Sequence, residues 1–430
     1  MRRTVLLLGL LAVFVGLLKL TPVTVAGQAP GPAQKPITAA KTGAASAPKA
    51  AARAVYRTSW GEPDLQGIWV NEIETPLQRP IQYTGKEFFT DKEIAAIDAR
   101  RAKRLDHDYR AERGTPNDVE GAYNAVFHLV KRTGRRTSLI VDPPDGRMPA
   151  YTAAYQQRQA QFRAHQLEIM RSSPACEKGE GSCRGGKYNP TPSPKYHDPP
   201  PIYPLGNVNR ADDPEDHGLS VRCLGGYLPA GGEGTTFSSG QNGFTRRIVQ
   251  TPGGIAMFYD TGQGQNWQRP SIVMNRSPHL PPQLRFWWGD SRGHWEGDTL
   301  VIDVTNFNEK TSVFGAKQNL HMVERFTRTD PKTLSYTVTL EDPTTWVRPW
   351  TVKVEYTKQD EFTNRIYTDN RCHEGNYGLP ALLRGARMDE KAYADGKGPN
   401  PATICITACG EKLGADEDQT ADPFESTIPD

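Results

Sequence analysis

At 430 residues, 37% of them hydrophobic, the chain is long enough to bury a sizeable core. Its formal charge of +3 falls to zero when Arg2, Arg3 and Lys19 leave with an N-terminal leader, which excludes a nucleic-acid reader with a strongly basic face.

Residues 1–26 read as that leader. Two arginines precede an apolar run from Val5 to Leu18, and the small residues Thr24, Val25 and Ala26 suit a signal-peptidase cut. The run is shorter than the roughly 20 residues that span a bilayer. The expectation is therefore an exported chain, periplasmic or extracellular, with no stable membrane insertion after cleavage; retention of the leader as an anchor is the alternative. Residues 27–55 are rich in Ala, Pro and Lys and poor in large apolar side chains, so they read as a disordered linker. Residues 56–400 follow as a single elaborated domain, and 401–430 as a C-terminal tail.

Within the domain, Thr90 and Glu93 form the two halves of a capping box ahead of Ile94 and Ile97, which predicts a helix. RTSLIVDPP predicts a strand over Ser138 to Val141, with Arg136, Asp142 and Asp145 in structural roles. Residues 151–172 predict a second helix. Residues 173–217 are dense in Pro and Gly and read as an irregular excursion.

From Arg247 onward the hydrophobic period becomes two. Leu300, Ile302 and Val304 alternate with polar neighbours, as do Leu334, Tyr336, Val338 and Leu340, and then Trp350, Val352, Val354 and Tyr356. Such alternation describes half-buried antiparallel strands. Gly297-Asp298 and Asp330-Pro331 supply turn chemistry between them. The fold class is mainly β with added α: an antiparallel barrel or sandwich with two peripheral helices and long Pro/Gly-rich loops. Six of eight tryptophans lie in the second half, so the main core belongs there.

Six cysteines in an exported chain favour disulfides. The pairing expected is Cys176 with Cys183, Cys223 with Cys372 and Cys405 with Cys409. No CxxC pair or interleaved histidine supports a cysteine metal site.

The candidate chemistry centres on SRGHWEGDTLVIDVTNF, residues 291–307. His294 and Glu296 share a strand face. Asp303 interrupts an apolar strand and must meet water, a cavity or a partner such as Arg325. His321, Glu324, His373 and Glu374 would suit a divalent metal, but on extended strands 321 and 324 face opposite ways, as do 373 and 374. A metal is thus the weaker reading, and no cofactor is expected. The favoured acid–base set is Asp303, His321 and His373, with Arg325 holding an anionic intermediate. No Gly-x-Ser-x-Gly elbow or phosphate-cradling Gly loop is present. Trp287, Trp288, Tyr336, Trp346, Trp350 and Tyr356 form an aromatic stripe that either fills the core or lines a cavity.

DLQGIW, RTSLIVDPPDGRMP, PHLPP, WEGDTLVIDVTNF, LHMVERF, EDPTTWVRPWT and CHEGNYGLPALLRGAR together resemble a family of exported bacterial proteins without an established activity, over Asp64 to Arg387. The Gly-x-Trp of DLQGIW is also similar to the opening strand of lipocalin-like calycin barrels, which implies a closed barrel.

Two functions follow as expectations. In the first, a monomeric barrel binds a small apolar or aromatic ligand through Trp295, Glu296, Tyr336, Trp346, Trp350 and Glu374. In the second, the same pocket runs a cofactor-free isomerase, hydratase or lyase step, with His321 or His373 as base and Asp303 orienting it. A surface-displayed interaction domain is third.

Overall fold

A computed structural model describes residues 56–104, 132–203, 208–219, 221–224, 245–260, 266–360 and 376–406. The leader, the linker, Cys372, His373, Glu374 and Cys409 lie outside the described residues.

The chain enters through β1 (Gly67–Val70), then β2 (Ile73–Glu74) and β3 (Arg132–Thr133), which pair in parallel, then β4 (Ile140–Asp142). The barrel strands follow: β5 (Thr245–Thr251), β6 (Gly254–Asp260), β7 (Asn266–Val273), β8 (Asp290–Glu296), β9 (Thr299–Thr305), β10 (His321–Asp330), β11 (Thr333–Glu341) and β12 (Trp350–Gln359). Each of these pairs with the next, and β1 closes the ring by pairing with β5 on one side and β12 on the other. Closure satisfies the backbone groups that an open sheet would leave on its edges. β12 is shared along its length, with Thr351 and Val352 pairing to β4 and Thr357 to Gln359 pairing to β1.

One junction departs from the antiparallel expectation. β7 and β8 run parallel, joined through Val273 and Arg292. A two-residue hairpin forces antiparallel pairing, whereas the long PHLPP-bearing connection between these strands carries the chain back before β8 begins. The result is a closed nine-stranded mixed barrel, and the sandwich alternative is set aside.

The alternation read from the sequence sorts the two sides of the wall. Leu300, Ile302, Val304, Met322, Phe326, Leu334, Tyr336, Val338, Leu340, Trp350, Val352 and Tyr356 all join one buried cluster inside the ring. Burying each such side chain contributes about 1.5–3 kcal/mol, so this interior dominates stability. Gly297 (φ 60°) makes the β8–β9 turn, and Asp298 beside it pairs with Arg57 at 2.9 Å.

Among the described residues there are four α-helices where two were expected. α1 (Asp91–Arg104) starts at the foreseen capping box: Thr90 N donates to Glu93 Oε2 at 2.8 Å and Glu93 N to Thr90 Oγ1 at 3.3 Å. α2 (Ala153–Met170) is capped by Thr152. Its Tyr155 side chain fills the space that a Cβ on Gly315 would need, and the glycine's φ of +89° separately disfavours any other residue there. The two unforeseen helices are α3 (Pro174–Lys178) and α4 (Gly378–Ala394). Both carry Pro in the first turn, where the missing N–H costs nothing, so a residue that reads as a breaker marks a start instead.

The Pro-rich excursion has its own small core, in which Ile169 and Met170 of α2 pack with Ala175, Cys176, Cys183, Tyr196, Val208 and Ala402. The Cys176–Cys183 disulfide is formed, with Cα atoms 4.9 Å apart. Cys223 and Cys405 are also oxidised, each to a partner outside the described residues. Ser172 Oγ donates to Ala402 O at 2.8 Å, tying residues just past 400 to this excursion.

Candidate functional site

The barrel carries polar groups on both faces of its wall, and the two sets differ in kind. Inside, Arg246 of β5 is 1% exposed and Glu324 of β10 is 0% exposed. A charge buried in an apolar ring has to be compensated. The guanidinium carbon of Arg246 sits 3.9 Å from the Tyr356 ring centre, 5.2 Å from that of Tyr336, 5.5 Å from Tyr259 and 5.8 Å from Phe326. Four rings around one cation form an aromatic cage. Arg246 Nη2 donates to the Tyr356 hydroxyl at 2.7 Å, and the Tyr336 hydroxyl donates to Glu324 Oε1 at 2.9 Å. Burial works against the Arg246 cation, but Tyr356, Tyr259, Tyr336 and Glu324 more than offset it, so the group stays charged. Burial raises both Tyr336 and Tyr356, and they remain neutral hydroxyls.

Five buried polar atoms of this interior and its rim meet no hydrogen-bond partner among the described residues: Arg246 Nη1, Ser291 Oγ, Trp295 Nε1, Trp346 Nε1 and Trp350 Nε1. Ser291 and Trp295 alternate with the outward Arg292 and His294 on β8, opposite the core residues Val304 and Leu300. Trp346 and Trp350 stack edge to face, their rings 5.4 Å apart. A buried donor left unpaired costs about 1–3 kcal/mol, so a cluster of them inside one apolar barrel calls for acceptors.

The structure therefore gathers Trp295, Tyr336, Trp346 and Trp350 on the interior side. Glu296 falls on the outer face. There Arg325 Nη1 donates to Glu296 Oε2 at 2.7 Å and His294 Nε2 meets Glu296 Oε1 at 3.1 Å. The Arg325 bond, helped by His294, holds the Glu296 carboxyl below its ordinary value. Arg325 is thus taken by Glu296 and is not the partner of Asp303, because residues 323 and 325 occupy different register steps opposite β9.

Asp303 and His321 do meet, but on the outer wall. His321 Nε2 lies 3.2 Å from Asp303 Oδ1 and 3.3 Å from Oδ2. The same Oδ1 accepts from His279 Nε2 at 2.9 Å, and His279 Nδ1 contacts Asp290 Oδ2 at 2.9 Å. His321 Nδ1 stands 3.7 Å from Glu341 Oε2. Carboxylate and imidazole thus alternate through five residues: Asp290, His279, Asp303, His321 and Glu341. His321 holds Asp303 below its ordinary value, and Asp303 in turn raises His321 against the pull of desolvation. Burial works to raise Asp290, but the Leu280 amide, His279 and Arg292 bring it lower. The acid–base pair is accordingly separate from the aromatic interior, since His321 and Glu324 sit on opposite faces of one strand.

His373 and Glu374 fall outside the described residues. No group of three or more His, Cys, Asp or Glu among the described residues is arranged to hold a metal ion. Sequence reasoning missed Arg246, His279 and Asp290. His279 stands in PHLPP, a motif already singled out; nothing local marked Arg246.

No family model matches the chain, and no curated protein does. Among solved structures it is similar to a secretary abundant heat soluble protein from Ramazzottius varieornatus, at 12% identity and TM-score 0.19, covering 28% of this chain and 74% of that one. It is likewise similar to a point mutant of the fluorescent protein UnaG, at 13% identity and TM-score 0.20, covering 33% and 86%. Likenesses this slight carry no weight for function, and the closed barrel rests on the strand pairing itself.

Proposed function

We propose that the barrel binds a small, largely apolar or aromatic molecule in its interior. The observation that carries this reading is the set of buried donors that meet no partner among the described residues, Arg246 Nη1 and the indole N–H groups of Trp295, Trp346 and Trp350, on a largely apolar lining. Ligand sites combine apolar walls with a few placed polar groups, as this interior does. We further propose that the chain acts as an exported monomer. The leader-like residues 1–26 and the Cys176–Cys183 disulfide support export to an oxidising compartment. No helix among the described residues is long and apolar enough to cross a membrane.

The test is to purify the chain under native conditions and extract it for small-molecule mass spectrometry. A stoichiometric apolar compound, lost from Trp350→Ala protein that still melts cooperatively, is the expected result. No bound compound, together with no thermal shift across a broad metabolite panel, would overturn the reading.

A second reading keeps the acid–base pair. The alternating chain from Asp290 to Glu341 favours proton transfer by His321, held by Asp303, toward a substrate docked on the outer wall. It predicts that activity found with any isomerase, hydratase or lyase substrate disappears in His321→Gln and survives in Trp350→Phe.

A further inference from the structure

We infer, resting on the interior-ligand reading, that the barrel's polar centre takes a neutral carbonyl oxygen in preference to a carboxylate: a ketone, quinone or amide carbonyl borne on an apolar ring or chain. Arg246 fixes the position. Its Nη2 is committed to the Tyr356 hydroxyl, while Nη1 is buried and has no acceptor among the described residues. The donor needs an oxygen, and the rings of Tyr259, Phe326, Tyr336 and Tyr356 crowd the guanidinium, which restricts any approaching group to a flat or slender one.

Charge decides which oxygen. A lone buried arginine would call for an anion, but Glu324 is equally buried, and its charge helps to hold Arg246 in the cationic form. The two are bridged through Tyr336, which donates to Glu324 and presents its ring to Arg246. Among the described residues of this centre, a ligand carboxylate would add a second buried anion against one cation, Arg246, which a low-dielectric interior penalises. A carbonyl accepts the Nη1 hydrogen bond and leaves the charge unchanged. The chain therefore supplies its own carboxylate and leaves to the ligand a neutral acceptor.

The experiment uses matched triplets on one-ring, two-ring and eight-carbon aliphatic scaffolds: the parent hydrocarbon, its methyl ketone and its carboxylate, each titrated calorimetrically into the full chain. The ketone should bind on the order of tenfold tighter than the hydrocarbon, the worth of one charge-assisted hydrogen bond, and the carboxylate should bind weakest. Arg246→Met should erase the ketone's advantage over the hydrocarbon. Glu324→Gln should reverse the order in favour of the carboxylate. If either variant fails to fold, the wild-type ranking still decides. Hydrocarbon binding with no gain for the ketone, or a carboxylate that binds tightest to wild type, overturns the inference and leaves the interior site standing. Failure of every triplet to bind overturns both.

Discussion

Asp303 and His321 face each other across neighbouring strands of the outer wall, His321 Nε2 lying 3.2 Å from Asp303 Oδ1. Each shifts the other toward its charged form. The raised imidazole stabilises the fold fully below roughly pH 6.5, its unfolded value, and loses that contribution as pH rises through the folded value. The depressed carboxyl contributes above roughly pH 3.9 and loses it as pH falls through its own folded value. The difference in melting temperature between wild type and His321→Gln should be largest near about pH 5 and should shrink on the alkaline side. An equal difference at every pH would show that the pair does not titrate as an ion pair.

Trp350 separates packing from hydrogen bonding. It is fully buried against Trp346 and Phe314. Trp350→Ala should cost about 3–5 kcal/mol in denaturant melts, from lost transfer energy and the cavity left behind. Trp350→Phe should cost much less, because the N–H it deletes meets no hydrogen-bond partner among the described residues.

Gly315 offers a steric test of how α2 sits on the barrel. A methyl at 315 would overlap the Tyr155 ring and would also force a side chain onto a φ of +89°. Gly315→Ala should destabilise by roughly 2 kcal/mol or more. The double variant with Tyr155→Ala should recover the steric part but not the backbone part, so the two changes should be clearly non-additive. Simple additivity would place Tyr155 elsewhere.

The Cys176–Cys183 staple should matter locally. Cys176→Ser/Cys183→Ser should speed proteolysis within residues 173–217, whose small core depends on both sulfurs. The barrel's melting transition should move little, since its buried cluster is a different set of residues.

The barrel strands were legible because β11 and most of β12 alternate without interruption and Leu300, Ile302 and Val304 keep the same period on β9 despite the buried Val301 between them, and that period put His321 and Glu324 on opposite faces. Arg246 was not legible. Its place breaks the apolar-inside rule, and what makes it tolerable comes from Tyr259, Glu324, Tyr336 and Tyr356, on four other strands. His279 was hidden for a related reason: a Pro-rich loop has no period, so nothing local tells which strand its ring will meet. Likewise, α4 opens on Gly-Leu-Pro, which reads as a turn until Asn376 is seen to accept from the Leu379 amide at 3.2 Å.

Because the ring closes through β1 and β12, the first barrel strand to be synthesised waits for the last. Ile68 has no partner on that side until Gln359 has left the ribosome, so the barrel cannot be completed during synthesis of its first strands. The late arrival of the closing strand therefore leaves the ring open while its other strands are made, and the wall seals only once nearly all of the polypeptide is available.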